Sequence, residues 1–174
     1  MKQPRIVDAA RAVLVRDGFE HWTVDRVARE ARCAKGLVHY HFTSKWELLA
    51  VVAGAMRRDR AERRRGALAV GGAVGLDELW ALLVAEVESG EHSAWLALAS
   101  SSEHAIRDAM LVQPSELRQL AQSLGGALDA TEFSDETLAA IVAVLDGLQL
   151  PLVLGQDREA VREVYDRFWL SVVS

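Results

Sequence analysis

The sequence predicts an all-α protein in which a small N-terminal helix-turn-helix domain precedes a larger helical domain. Three observations predict this. Apolar residues recur at helical spacing along most of the 174 residues, and no period-2 strand pattern of any length occurs. Only three prolines interrupt the chain, which leaves room for long helices. Charge is divided unevenly: residues 1–65 hold 15 Lys+Arg against 8 Asp+Glu, a balance of +7, whereas residues 66–174 hold 5 against 17, a balance of −12. The net charge of −5 hides that asymmetry, which points to a module facing nucleic acid joined to one that does not.

The elements follow in order. Pro4 suits the first turn of a helix, and Ile6, Val7, Ala10, Val13 and Leu14 carry the period to a stop at Gly18, giving a helix near 4–17. Thr23 is an N-cap for a short helix with Val24, Val27, Ala28 and Ala31 on one face. Arg32 and Cys33 make a tight connection to a second short helix from about Ala34 to Phe42. Ser44 and Glu47 form a capping box ahead of a long helix reaching about Arg65. Gly66, Gly71, Gly72 and Gly75 mark a flexible connector, since no Lys-Ser/Thr follows to make a phosphate loop. Helical segments near 76–89, 92–111, 115–129, 134–154 and 157–173 complete the chain, with Pro114 and Pro151 as kinks or stops.

Several classes are disfavoured. No stretch of about 18 uncharged apolar residues predicts a membrane span, and the start lacks a signal-peptide core. Cys33 is the single cysteine, which fits a reducing, cytoplasmic setting. No Cys/His spacing suggests a metal site, no cofactor motif occurs, and no nucleophile–base pair or paired carboxylates suggest an enzyme.

The segment Thr23 to Leu48, TVDRVAREARCAKGLVHYHFTSKWEL, has the pattern of a bracing helix, a tight turn and a helix able to enter the major groove. It resembles the DNA-binding domain of the TetR family: Thr23, Val27, Ala28, Ala31, Gly36, Val38, Phe42, Ser44, Lys45 and Leu48 fit that family's order and spacing. The motif covers about a quarter of the chain. Arg32 stands where the family usually has the turn glycine, Ala34 where it has a serine cap, and His39 where it has a phosphate-contacting tyrosine. A left-handed backbone at that turn site costs an arginine on the order of 1 kcal/mol.

The resemblance implies a DNA-binding domain over 1–46 and an effector-binding and dimerisation domain over 47–174. Thr23 and Lys45 would meet phosphates. Lys35, Gly36, Leu37, His39, Tyr40 and His41 would lie toward bases or flanking phosphates, and Val27, Ala28, Val38 and Phe42 would be core. Trp80, His92, Trp95, Glu103, His104 and Met110 are candidate walls of an effector pocket, with ordinary core as the alternative. Ala139, Ala143, Gly147 and Leu150, with Val161, Tyr165, Phe168 and Trp169, are candidates for a homodimer interface. The partners implied are a palindromic double-stranded DNA operator, a small organic effector and a second copy of the chain, with no membrane. The expected function is a transcriptional regulator, usually a repressor released by its effector. A helical small-molecule binder that no longer reads DNA is the second reading, supported by Arg32, Ala34 and His39. The arginine-rich run Arg57 to Arg65 is expected to be a solvated helix end, its cations favoured by the helix dipole.

Overall fold

The computed structural model describes residues 3–128 and 133–172, and every element among them is helical. The order is α1 (Gln3–Asp17), α2 (Val24–Glu30), α3 (Lys35–His41), α4 (Lys45–Leu68), α5 (Gly72–Glu88), α6 (Glu91–Ala99), α7 (His104–Met110), α8 (Pro114–Leu128), α9 (Asp135–Val153) and α10 (Arg158–Val172). The expected helix ends at 129 and 173 lie outside the described residues. The chain forms two compact units: Met1–Asp59 with Ser89–Leu111, and Arg60–Glu88 with Val112–Ser174. Compactness thus cuts the chain at different points from the functional boundary expected at 46/47.

In the first unit, α1 buries Ile6, Ala9, Ala10, Val13 and Leu14, the 3.6-residue stripe its sequence carries. It stops at Gly18, whose N–H still meets Leu14 O at 3.0 Å and whose φ of 77° turns the chain off the helix axis. Around that stripe pack Trp22, Val27, Val38, Phe42 and Leu48, and from the later stretch Ala94, Leu98 and Ile106. The Trp22 indole donates to Ala10 O at 3.0 Å, so its one polar atom is satisfied where it is buried. Arg11 ties α1 to both later contributions, binding Asp59 of α4 and, at 2.6 Å, Glu91 of α6.

The expected single helix over 92–111 is in fact α6 and α7. Ser100 Oγ donates to Leu96 O at 2.7 Å, and Ser101 Oγ accepts from Glu103 N–H at 3.2 Å. Such short-range bonds compete with the helical ladder, which explains a break at Ser100–Ser102. The expected glycine connector also shrinks, because α4 runs through Gly66 and α5 starts at Gly72. A β-carbon on Gly75 would stand 3.2 Å from Ala67 O and Leu68 O, so this glycine serves a close helix approach.

The second unit is built on Leu79, Leu83, Leu124, Leu138, Ile141, Leu145 and Tyr165. Tyr165 is 1% exposed, and its hydroxyl donates to Leu76 O at 2.6 Å. Burial pushes its pKa up. Val161, Tyr165 and Trp169, expected to face a partner chain, instead fill this core.

The arginine run also differs from expectation. Arg60 and Arg64 are buried beside Glu86, which is 2% exposed, Asp146 and Gln149. Arg64 meets Asp146 at 2.6 Å, Arg60 meets Glu86 at 3.2 Å, and Arg63 meets Glu86 at 3.1 Å. Gln149 accepts from Arg60 at 2.8 Å and donates to Leu83 O and Glu86, both at 3.0 Å. Desolvation first, then the charge of Arg64, lowers the Arg60 pKa to about 10. The cluster joins α4, α5 and α9. Helix α9 is long and apolar enough to cross a membrane by composition, with mean hydropathy 1.6. Its Asp146 and Gln149, however, are bonded to arginines of α4.

Candidate nucleic-acid interface

Helix α2 starts where Thr23 Oγ1 accepts from Arg26 N–H at 3.2 Å, the expected N-cap. It ends at Ala31, and the chain turns through Arg32 at φ 50°. Helix α3 then starts from Ala34, whose backbone is extended (φ −70°, ψ 142°) as a cap requires but whose side chain cannot accept a hydrogen bond. An Ala34→Ser substitution is expected to stabilise the chain by about 1 kcal/mol, read as a rise in thermal midpoint. No rise would show that this helix start does not limit stability.

Helix α3 divides its residues cleanly. Val38 is 2% exposed, and Phe42 just beyond it is 2% exposed. Lys35, Gly36, His39 and Tyr40 are exposed, a stripe at i, i+1, i+4 and i+5. A helix about 10–12 Å across with its side chains fits a major groove about 12 Å wide. Tyr40 stands out at 82% exposed, its ring edge-on to His41 at 5.2 Å. His41 is half-buried between Tyr40 and Phe42, and Leu37 is half-buried against the core, so both lie off that stripe. Gly36 has nothing within 4 Å of where a β-carbon would stand. Packing within the chain therefore does not require glycine there, while a flat surface favours close approach of DNA.

Cations around this stripe are held in place. Lys35 Nζ meets Asp25 at 2.9 Å, with both side chains exposed. Arg26 meets Asp17 at 2.8 Å, and the hydrogen bonds of Arg16 and Arg26 hold the Asp17 carboxyl at about 2. The start of α4 is fixed by Ser44 Oγ, which accepts from Glu47 N–H at 3.1 Å. The return arm of the box reaches Thr43, whose N–H donates to Glu47 at 2.7 Å. This sets exposed Lys45 at the helix start, its Nζ 4.1 Å from the Trp46 ring centre.

The candidate effector residues are not gathered together. Trp80 belongs to the second unit's core, 5.2 Å from the Tyr165 ring and under the Arg162 guanidinium. The other five belong to the first unit. His92 is fully buried, Trp95 and Met110 pack half-buried on its core, Glu103 is half-buried, and exposed His104 lies 3.4 Å from Asp108. A cleft of about 520 Å³ in the second unit is lined instead by Leu76, Asp77, Ala127, Leu128, Arg162, Asp166 and Trp169. Sequence periodicity marks these as helical but carries no signal that they share a cleft. Of the interface candidates, Ala139, Ala143, Gly147 and Leu150 are exposed along α9, and Phe168 is half-buried.

The family described as "Bacterial regulatory proteins, tetR family" matches residues 6–52. Two HTH-type transcriptional regulators of Pseudomonas putida, SrpR and TtgW, are each 44% identical over 48 residues. That segment is 28% of this chain, but only 22% of the first relative and 36% of the second. Over nearly the whole length, the fold is similar to the multidrug binding protein EbrR, solved with imidazole. The TM-score is 0.66 at 26% identity, over 96% of this chain and 94% of that one.

Proposed function

The chain belongs to the TetR family of DNA-binding transcriptional regulators, and from that premise we propose that it is a cytoplasmic repressor, released from a palindromic operator when a small organic effector binds. The observation that carries the reading is the exposed stripe Lys35, Gly36, His39 and Tyr40 on a helix braced from behind by Val38 and Phe42. Residues 1–46 supply the DNA contacts, with Thr23 and Lys45 on phosphates, and residues 47–174 supply effector binding and dimerisation. Ligand shifts the population toward a conformation whose two recognition helices no longer match adjacent major grooves.

The second unit offers the effector a mostly apolar cleft of a size that suits an organic molecule, with Arg162, Asp77 and Asp166 as its polar groups. EbrR was solved with imidazole, so imidazole is a reasonable first probe. A rise in thermal midpoint with imidazole that Leu76→Trp abolishes would support this cleft. The homodimer forms on the exposed face of α9, where Ala139, Ala143, Gly147 and Leu150 follow one another at helical spacing, with exposed Leu154 just past the helix and Val164 and Phe168 of α10 as further contributors. A helix-turn-helix reading two half-sites one turn apart needs such a dimer.

The direct test is a gel shift against genomic fragments upstream of the gene. Lys45→Ala is expected to weaken binding to all sequences about equally and to lower the slope of log K against log salt by about 0.9. A changed base preference with an unchanged slope would remove Lys45 from the phosphate contacts. Retention of no fragment at low salt would favour the second reading, a small-molecule binder without DNA affinity.

A further inference from the structure

Arg32 is the only non-glycine residue with a positive φ among the described residues. At 50° its backbone is left-handed, a conformation that glycine adopts freely and that a β-carbon makes costly. A long cation is therefore kept at a position whose backbone favours glycine. Strain of this kind persists where a side chain has work to do.

The surroundings of Arg32 say what that work is. Most neighbouring cations are neutralised, Arg16 by Asp17 and Glu30, Arg26 by Asp17, and Lys35 by Asp25. Arg29 shares the lack of a carboxylate partner among the described residues but lines a different hollow, with Asp17 and Glu30. Among the described residues the Arg32 guanidinium has no carboxylate within ion-pair distance, and its side chain is exposed. Arg5 of α1 is alike: among the described residues its guanidinium bonds to a backbone oxygen, Ala31 O at 3.2 Å, and to no carboxylate. That bond steadies Arg5 and leaves most of its five N–H donors unused. Arg5 and Arg32 line one cleft of about 380 Å³, together with Ile6, Ala31, Cys33, Ala34 and Leu37. No acid lines it, and Ala34 and Leu37 belong to the start of α3, the helix whose outer face meets DNA.

We infer that this cleft holds a phosphate of the DNA backbone between Arg5 and Arg32, a contact beyond those of α3 and Lys45. The inference rests on the DNA-binding reading above. Two guanidiniums without carboxylates suit a phosphodiester, whose oxygens accept the paired N–H groups of arginine. Phosphate contacts position the protein without reading sequence, so the contact acts on every duplex.

The test uses the full chain and a fluorescein-labelled mixed-sequence duplex of about 30 base pairs, titrated between about 50 and 200 mM salt. Arg32→Gly is expected to lower the salt slope by about 0.9 and weaken binding severalfold, while its thermal midpoint stays level or rises. Arg32→Lys keeps the charge and is expected to restore the slope. Arg5→Gln lowers the slope by a similar amount. Binding by Arg32→Gly within twofold of the parent, at the same slope, would overturn the inference. So would stabilisation by inorganic phosphate that depends on Arg32 while the duplex slope does not. A parent chain that binds no duplex would bring down the DNA-binding reading itself. A parent whose slope responds to Lys45→Ala but not to Arg32→Gly would bring down this inference alone.

Discussion

Glu86→Ala is expected to destabilise the protein by about 3–5 kcal/mol, because it strips the counter-charge from guanidiniums that water cannot reach. Glu86 is 2% exposed and accepts from Arg60, Arg63 and Gln149. Without it, Arg60 and Arg64 keep the half-buried Asp146 as a shared carboxylate and Gln149 as a neutral acceptor. A chain of this size loses roughly 2–4 °C of thermal midpoint per kcal/mol, so the shift should be on the order of 10 °C by circular dichroism. Glu86→Gln keeps an acceptor and should cost less. Replacing the cluster together, with Arg60→Met, Arg63→Met, Arg64→Met, Glu86→Leu and Asp146→Leu, should cost less than Glu86→Ala alone, since each charge leaves together with its counter-charge. A Glu86→Ala loss below about 1 kcal/mol would mean that water enters the cluster, which its burial does not suggest.

Ala143→Glu is expected to turn the proposed homodimer into a monomer of the 19.1 kDa chain mass. Ala143 is exposed at the middle of the small-residue face of α9, so the substitution leaves the chain's own core intact. Across a dimer axis it would set two carboxylates in an apolar interface without partners. Several kcal/mol of desolvation and repulsion correspond to more than a hundredfold in dimer dissociation. Operator affinity should fall with it, because each monomer then reads one half-site. Sedimentation decides the matter: a dimer that survives Ala143→Glu at micromolar concentration places the interface elsewhere.

Local rules made the first unit readable in advance. The stripe of α1, the Thr23 cap and the Ser44–Glu47 box depend on neighbours within four residues, and each takes its expected place, while Val38 and Phe42 are buried as the family resemblance implied. What escaped depends on distance. The arginine run looks like a solvated helix end because the acid that meets Arg64 lies 82 residues further on. Val161, Tyr165 and Trp169 form a stripe that had to be buried, but a stripe does not say whether its own chain or a partner covers it. The clefts share that opacity, since their walls come from elements separated in sequence.

The interleaving of the first unit has a consequence for anyone building hybrid sensors. A recognition module cut out after Asp59 would leave behind Ala94, Leu98 and Ile106, which complete its apolar interior, and Glu91, which holds Arg11. Such a fragment exposes a hole where α6 and α7 had been, and a foreign sensing half grafted on would have to fill it. A chimaera that keeps both 1–59 and 89–111 from this parent, exchanging only the intervening and following stretches, preserves that interior whole. Its three junctions then fall near 60, 88 and 111, at the boundaries of that unit.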